Sequence, residues 1–267
     1  MSQADKQRVQ QQFGDKAADY AESAVHAQGS SLTRLIELTE PQADWVVLDV
    51  ATGAGHTAHI FAPRVERVIA TDLTPQMLPK ARELGQNRGL INIAVSTADA
   101  ESLPFACDTF DLLTCRLGAH HFPDVTAFVH EAARVLKQGG LLAVTDNVAP
   151  GSTRSDRKAR LLQAAGRYMN AFEKLRDPSH QRFLSLFEWR QQFYSAGFAL
   201  LHEENTKKAI DFADYVARSG VVGDDVVRLR AMLVQAPEQV LEFLTPVFRG
   251  DRITFYLSEV IFIGRLE

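Results

Sequence analysis

Short apolar runs and amphipathic segments alternate along the middle of the chain. Residues 45–50 read WVVLDV, a nearly continuous apolar run that is typical of a strand buried on both faces of a parallel sheet. Further strands are predicted at 67–70, 91–96, 110–115 and 141–145. Helices are predicted between them at 56–62, 75–88 and 123–137. This alternation predicts a doubly wound, mostly parallel α/β sheet.

Capping residues predict where two of the helices begin. Thr74 is expected to be the N-cap of the helix that follows the second strand, with Pro75 as its first helical residue. Pro79 lies inside that helix and is expected to bend its first turns. Ser31 is predicted to be the N-cap of a helix over 32–38.

The two ends of the chain complete the predicted architecture. Apolar residues recur at helical spacing over 7–20, so residues 1–40 are expected to form a helical cap. Beyond residue 150, helices are predicted at 152–175, at 186–196 and within 210–248, and strands at 198–203 and 253–263. We therefore expect a seven-stranded sheet in a domain of residues 41–267, with helical insertions at about 150–185 and 209–250.

Composition narrows the class of protein. The chain has 267 residues, of which 46% are hydrophobic and 23% charged, and its net charge is −4. The hydrophobic fraction excludes a disordered chain. The negative net charge does not indicate a basic surface that would bind nucleic acid. Its two cysteines cannot build a disulfide framework. No leader segment or membrane span is visible in the sequence, so we expect a cytoplasmic protein.

A glycine-containing turn follows the first predicted strand. Residues 47–57 read VLDVATGAGHT, in which Asp49 ends the strand and Gly53 and Gly55 allow a ligand to approach the backbone. Asp72 ends the second strand, where a carboxylate accepts hydrogen bonds from the two hydroxyls of a ribose. These features predict a nucleoside-containing cofactor, and at this point they fit NAD and S-adenosylmethionine equally.

Three further motifs complete a pattern that resembles a known family. They are DAESLPF at 99–105, FDLLTC at 110–115 and RVLKQGG at 134–140. Together with the turn and Asp72, they make the chain resemble the class I S-adenosylmethionine-dependent methyltransferases, in the branch similar to the ubiquinone and menaquinone methyltransferases. The resemblance covers about residues 10–150 and implies the Rossmann-like class I fold, methyl transfer and S-adenosylmethionine as the cofactor.

The resemblance also implies a role for each residue that matches the family pattern. Asp49 would hold the α-ammonium group of the cofactor, directly or through water, and Asp72 the ribose hydroxyls. Asp99 would accept from the adenine amino group, and the Ala100 N–H would reach a ring nitrogen. The remaining positions that the resemblance assigns to the cofactor are Ala51, Gly53, Gly55, Leu73, Met77, Cys115, Arg116 and Tyr20.

Three of these positions, Ala51, Tyr20 and Cys115, carry their own expectations. Ala51 stands where the family often has glycine, and its methyl group is expected to fit if φ is negative. Phe13 and Tyr20 match aromatic positions of a family helix that folds over the cofactor, although plain helix packing explains them equally well. Cys115 is expected to be a small buried residue and not a nucleophile.

His120 and His121 follow the fourth predicted strand and are the candidate general bases. The alternative is that one packs in the loop and the other bonds to a backbone carbonyl. Asp146 and Asn147, after the fifth strand, would contact substrate or cap the loop. No metal site is expected, because no cysteine or carboxylate cluster accompanies His56 and His59.

The acceptor is expected to be a small molecule. Aromatic residues of the two insertions would line an apolar pocket for an aromatic or lipid-like acceptor, with helix packing as the alternative. A dinucleotide-dependent oxidoreductase would need a catalytic set such as Tyr-x-x-x-Lys, which the chain lacks. A non-catalytic module that binds S-adenosylmethionine and a homodimer built on the apolar C-terminal strand both stay open.

Overall fold

The computed structural model describes residues 3–14 and 29–267. Tyr20, one of the predicted cofactor residues, lies outside the described residues. The helices, in chain order, are α1 (Gln3–Gly14), α2 (Ser30–Thr39), α3 (His56–Phe61), α4 (Met77–Asn87), α5 (Val125–Val135), α6 (Arg157–Arg176), α7 (Leu186–Ser195), α8 (Phe212–Arg218), α9 (Asp224–Val234) and α10 (Glu238–Leu244). Short 3₁₀ turns occupy Ala62–Arg64 and Ala119–His121.

The strands of the described residues form one sheet. In chain order they are β1 (Val46–Val50), β2 (Arg67–Asp72), β3 (Ile93–Thr97), β4 (Phe110–Arg116), β5 (Leu136–Val148), β6 (Phe198–Asp211), β7 (Val247–Arg249) and β8 (Arg252–Leu266). Their order across the sheet is β3-β2-β1-β4-β5-β8-β6, and β7 pairs with β8. The pairs β1–β2, β1–β4, β2–β3 and β4–β5 are parallel. The predicted doubly wound, mostly parallel sheet is confirmed.

The number of strands was predicted incorrectly. Eight strands occur among the described residues, because β7 forms an antiparallel hairpin with the start of β8. The three residues of β7 are all exposed, so they carry no buried apolar pattern that would predict a strand. The sixth strand also extends to Asp211, eight residues beyond its predicted end at 203, through a mostly polar segment in which no residue is buried.

Two predicted helix starts also differ from the structure. The helix α4 begins at Met77, because residues 74–78 first form i→i+3 turns, with the N–H of Met77 on the Thr74 carbonyl. Pro79 therefore lies in the first turn, where its missing N–H costs no helical hydrogen bond. The helix α2 begins at Ser30 after Gly29, and the Ser31 hydroxyl accepts a hydrogen bond from Arg116 Nε instead of capping.

The chain forms two compact units, each with its own core. The first unit comprises the described part of Met1–Asp146 with Gln191–Glu204 and Ile261–Glu267, and the second comprises Asn147–Arg190 and Asn205–Val260. The core of the first unit includes Leu35, Phe61, Val68, Leu112 and Ile261. That of the second includes Met169, Phe172, Leu229, Leu233 and Phe255. No helix of the described residues is long and apolar enough to cross a membrane.

Candidate functional site

A cavity lies in the first unit, where the chain leaves the carboxyl ends of parallel strands. Residues that follow β1, β2, β3 and β4 all contribute to its walls, and α1 supplies Lys6, Val9 and Phe13. Its empty volume, including the open mouth, is about 990 Å³. Ligands of doubly wound sheets bind at this edge, so the cavity is the candidate functional site.

The cavity brings together most of the predicted cofactor residues. Those in its walls are Ala51, Gly53, Asp72, Leu73, Met77, Asp99, Ala100 and Arg116, together with the candidate base His121. Asp49, Gly55, Cys115 and His120 are not among the lining residues. Gly55 precedes α3 with φ +84°, and a Cβ there would meet the His59 ring at 2.9 Å.

Asp49 lies behind the wall of the cavity and not in it. Its side chain is 1% exposed, and it accepts hydrogen bonds from Thr52 Oγ1 at 2.5 Å and Thr114 Oγ1 at 2.7 Å. Burial raises the pKa of this carboxyl to about 6, although both hydroxyls and the nearby charge of Arg116 favour the ionised form. Asp49 is therefore not part of the cavity surface, and the contact with a cofactor ammonium group that the resemblance implied, directly or through water, stays a prediction.

The turn after β1 carries an alanine in a left-handed conformation. Ala51 has φ +53°, so the condition under which its methyl group was expected to fit, a negative φ, is not met. An L-residue in this conformation costs about 1–2 kcal/mol, because its Cβ approaches the following carbonyl. Leu117, which follows β4, has φ +55° and lines the same cavity. Two of the five non-glycine residues with positive φ in the described part of the chain thus lie where these strands open into the cavity.

Asp72 connects the end of β2 to the glycine turn. Its Oδ2 accepts the Gly53 N–H at 2.9 Å and its Oδ1 accepts the Thr74 N–H at 2.8 Å. Burial raises the pKa of Asp72, while these two N–H groups favour the carboxylate. Each carboxylate oxygen has two lone pairs, so further acceptor capacity remains toward the cavity.

At the β3 end of the cavity, α1 contributes a cation. Lys6 Nζ pairs with Asp99 Oδ2 and lies 2.7 Å from Glu101 Oε2. Asp99 also accepts the Glu101 N–H at 3.0 Å through Oδ1. Asp99, assigned above to an adenine amino group, therefore holds a lysine in this structure. The same helix reaches Leu73, whose carbonyl accepts from Gln10 Nε2 at 2.9 Å.

Sequence reasoning overlooked Lys6 and Glu101. Lys6 lies three residues before Val9 and seven before Phe13, which places the three on one face of a helix. That spacing was the signal for its position. Glu101 belongs to the DAESLPF motif, but nothing in the motif indicates that its partner comes from the N-terminal helix.

Arg116 and Cys115 end β4 with different surroundings. Arg116 lines the cavity although it is 8% exposed, and its Nε donates to Ser31 Oγ at 3.1 Å. Cys115 is buried, and burial raises the pKa of its thiol well above the ordinary value. Its position favours the expected small buried residue over a nucleophile.

The two candidate bases have different positions. His121 lines the cavity and its ring meets that of Phe13 edge-on, at 4.8 Å between centroids. His120 is not among the lining residues, and its Nδ1 lies 2.6 Å from Asp146 Oδ1. Asp146 thus contacts a histidine ring, and its Oδ2 accepts the backbone N–H of the same loop residue at 2.9 Å, which is the contact of a loop cap. Among the described residues, no three histidine, cysteine or carboxylate side chains are grouped to hold a metal ion.

The aromatic residues expected to line an acceptor pocket are mostly packing residues. Phe172, Phe212 and Tyr215 belong to the core of the second unit, while Phe187 and Phe248 are exposed. Tyr168 and Phe172 border a small apolar cavity within that unit, with an empty volume of about 290 Å³.

Comparisons with known proteins agree with one another. The chain matches the Methyltransferase domain family over residues 48–144. It is 34% identical to the uncharacterized methyltransferase YcgJ of Bacillus subtilis, over 94% of this chain and 96% of that protein. The crystal structure of B. subtilis YcgJ has a TM-score of 0.80 and covers 89% of this chain and 98% of its own. A demethylmenaquinone methyltransferase of Deinococcus radiodurans is 39% identical over 40% of this chain and 44% of its length.

Proposed function

The chain belongs to the S-adenosylmethionine-dependent methyltransferases, and on this premise we propose that the cavity of the first unit binds the cofactor and that the methyl acceptor is a small molecule. The observation that carries the proposal is the meeting of Asp72, Asp99 and the Gly53 turn in one cavity. The three come from the ends of neighbouring parallel strands, β1, β2 and β3. The small-molecule acceptor, the cytoplasmic location and the homodimer are predictions from the sequence.

The lining residues fit the adenosine part of this cofactor. Asp72 supplies two carboxylate oxygens for the ribose hydroxyls, in the manner known for acidic residues at the end of a second strand. The apolar side chains of Leu73, Met77 and Ala98 supply flat, uncharged surface for a purine ring. Asp99 supplies an acceptor for an amino group at the edge of that surface.

The opposite end of the cavity fits the methionine part of the cofactor, which is a zwitterionic amino acid. The guanidinium of Arg116 is a donor for a carboxylate, and the backbone of Ala51 and Gly53 forms the wall beside it. Asp49 lies behind this wall, so we expect it to act on an ammonium group through its charge and through Thr52, and not by direct contact.

The bound cofactor supplies a methyl group on a positively charged sulfur. This activated group needs little covalent help, so the chain contributes by positioning and by excluding water. Alignment of reacting atoms at about 3–3.5 Å supplies much of the rate in reactions of this kind. The walls of the cavity, with α1 across one side, are suited to both tasks. We infer an in-line displacement by the acceptor.

Calorimetric titration tests the proposal. The full chain is titrated with S-adenosylmethionine, S-adenosylhomocysteine and NADPH, alongside Asp72→Asn and Asp99→Asn. We expect both adenosyl ligands to bind, with affinity at least about tenfold weaker in each variant, since each loses a charge-assisted hydrogen bond. Glu83→Gln, an exposed carboxylate paired with Lys80, is the matched control and should bind normally.

Each other outcome has a defined meaning. Binding of NADPH without the adenosyl ligands would contradict the assigned cofactor. Binding of the adenosyl ligands that is unchanged in Asp72→Asn and Asp99→Asn would place the site elsewhere. Binding with no methyl transfer to any acceptor would favour a non-catalytic module.

A further inference from the structure

Asp146 holds His120 at two points. Asp146 Oδ1 lies 2.6 Å from the ring nitrogen Nδ1 of His120, and Oδ2 accepts the backbone N–H of the same residue at 2.9 Å. The side chain of Asp146 is 1% exposed and that of His120 is 10% exposed. One buried carboxylate therefore fixes both the main chain and the imidazole ring of His120.

This pair adjoins the cavity at its β4 side. His120 lies in the 3₁₀ turn Ala119–His121, and residues on both sides of it, Gly118 and His121, line the cavity. The rings of His120 and His121 are 4.1 Å apart between centroids. Asp146 stands in β5, next to β4 in the sheet. The pair is thus held between β5 and the turn that follows β4, at the edge where the cavity opens.

The contact determines which ring nitrogen can take a proton. An ionised carboxylate is only an acceptor, so Nδ1 carries the hydrogen that lies between it and Asp146. The proton-accepting nitrogen of the neutral ring is then Nε2. The backbone hydrogen bond prevents the turn from rotating away, so the direction of Nε2 is set as well.

We propose that His120 is the general base of the methyl transfer, that Asp146 positions it, and that the acceptor is a group that must lose a proton, such as a phenol, an enol or an acidic C–H. This proposal rests on the proposed function. The acceptor's X–H bond breaks and its proton moves to Nε2 of His120. Its electron pair forms the bond to the methyl carbon, whose bond to sulfur breaks with the pair left on sulfur. The proton later passes from His120 to solvent.

An acceptor that is already an anion or a tertiary amine needs no such base. With such an acceptor, a histidine whose tautomer is fixed by a buried carboxylate would have no proton to accept. The geometry therefore favours acceptors that are protonated at neutral pH over carboxylates and tertiary amines.

The first test reads the tautomer directly and needs no acceptor. Nitrogen-15 NMR of the full chain with S-adenosylhomocysteine should show His120 protonated at Nδ1, with a strongly downfield Nδ1 proton. Asp146→Asn offers one acceptor oxygen where Asp146 supplies two, so it cannot serve the ring and the backbone N–H together. We expect that variant to lose the downfield proton. An Nε2-protonated ring in the wild type, or an unchanged proton in Asp146→Asn, would overturn the proposal.

The second test measures transfer to defined probes. Catechol and acetylacetone carry a proton to lose, whereas benzoate and N,N-dimethylaniline do not. We expect methyl transfer to catechol and acetylacetone. The kcat of this transfer should fall about 100-fold or more in His120→Gln and at least about tenfold in Asp146→Asn. The KM for S-adenosylmethionine should stay within about twofold. His120→Gln leaves Asp146 and its backbone contact in place, and His130→Gln, an exposed histidine of α5, is the matched control.

The outcomes separate this proposal from the proposed function. Methyl transfer that is insensitive to His120→Gln, or that occurs only to benzoate or dimethylaniline, would overturn the assignment of His120 as the general base. No transfer to catechol or acetylacetone by a chain that binds S-adenosylmethionine would overturn the acceptor class and leave the cofactor assignment standing. A chain that binds neither S-adenosylmethionine nor S-adenosylhomocysteine would overturn the proposed function itself, and this proposal with it.

Discussion

The methyl group of Ala51 packs against Gly118 so closely that a Cβ on residue 118 would lie 2.7 Å from it. Ala51 follows β1, Gly118 follows β4, and both line the cavity. Contacts between real Cβ atoms are not this short, so glycine at 118 is needed because alanine stands at 51. The left-handed Ala51 and the missing side chain at Gly118 are thus one feature of the site.

Substitution at these two positions should therefore be coupled. Gly118→Ala should destabilise the chain by about 1–3 kcal/mol, the usual cost of overpacking. Ala51→Gly removes the methyl group in question and relieves the left-handed strain, so it should leave stability unchanged or raise it by up to about 1 kcal/mol. In the double variant most of the cost of Gly118→Ala should disappear.

Urea denaturation of the four chains measures this coupling as a double-mutant cycle. The expected interaction free energy exceeds about 0.5 kcal/mol. Additive effects would mean that the chain relieves the contact by moving Gly118 instead, and would contradict the packing described above.

Asp49 should make stability depend on pH. Its pKa is about 6 in the folded chain and 3.8 ordinarily. Below about pH 4 the group is protonated in both states, and between about 4 and 6 only the folded state keeps its proton. The free energy of unfolding due to this group therefore falls as the pH rises through that range, by about 3 kcal/mol, and is constant above it.

Asp49→Asn should remove this fall. Thr52 and Thr114 can each donate to or accept from the amide, so the variant keeps partners for both hydroxyls. Urea denaturation at pH 4, 5, 6 and 7 gives the difference between wild type and variant, in which the contributions of other groups cancel. A difference that is constant across this range would mean that Asp49 is not destabilised by burial.

Lys6 should control how firmly α1 is docked. A 12-residue helix is marginal by itself, so its order depends on tertiary contacts. Lys6→Ala removes the pairing with Asp99 and Glu101. Because the lysine is partly exposed, we expect the docking of α1 to weaken by less than about 1 kcal/mol. Amide hydrogen exchange in residues 3–14 should quicken about two- to fivefold.

Arg8→Ala is the control for this helix. Arg8 pairs with Asp5 inside α1 and does not line the cavity. Its removal should leave the exchange of α1 nearly unchanged. Equal acceleration in both variants would show that the loss of any α1 ion pair loosens the helix, and that the cavity pairing has no special role.

Tyr215 should be important for the stability of the second unit. Its hydroxyl lies 3.0 Å and 2.9 Å from the two carboxylate oxygens of the buried Glu173, and the guanidinium of Arg176 covers its ring at 4.1 Å. Burial raises the pKa of Tyr215 well above its ordinary value, so the hydroxyl stays protonated and donates. Tyr215→Phe keeps the ring and removes the hydroxyl, so it should lower the free energy of unfolding by about 1.5–3 kcal/mol.

Thermal unfolding followed by circular dichroism measures this loss. Tyr194→Phe, at a side chain that is 58% exposed, is the matched control and should change stability by less than about 0.5 kcal/mol. Equal melting temperatures for Tyr215→Phe and the wild type would show that Arg176 alone satisfies Glu173.

The sequence alone determined that the sheet is doubly wound and mostly parallel, and which end of it carries the site. Apolar runs such as 45–50 are local signals, because a strand buried on both faces must be apolar throughout. Parallel strands have their carboxyl ends at one edge. Asp72 and Asp99 could therefore be placed at a common site without knowledge of their side-chain contacts.

The tertiary structure alone decided what those side chains touch. Lys6 is 93 residues from Asp99, and Arg116 is 85 residues from the Ser31 hydroxyl that it draws away from helix capping. The φ of Ala51 likewise depends on a turn that packs against residue 118. A local pattern carries no information about such partners, because hydrogen bonds and burial are set by the folded neighbourhood and not by spacing along the chain.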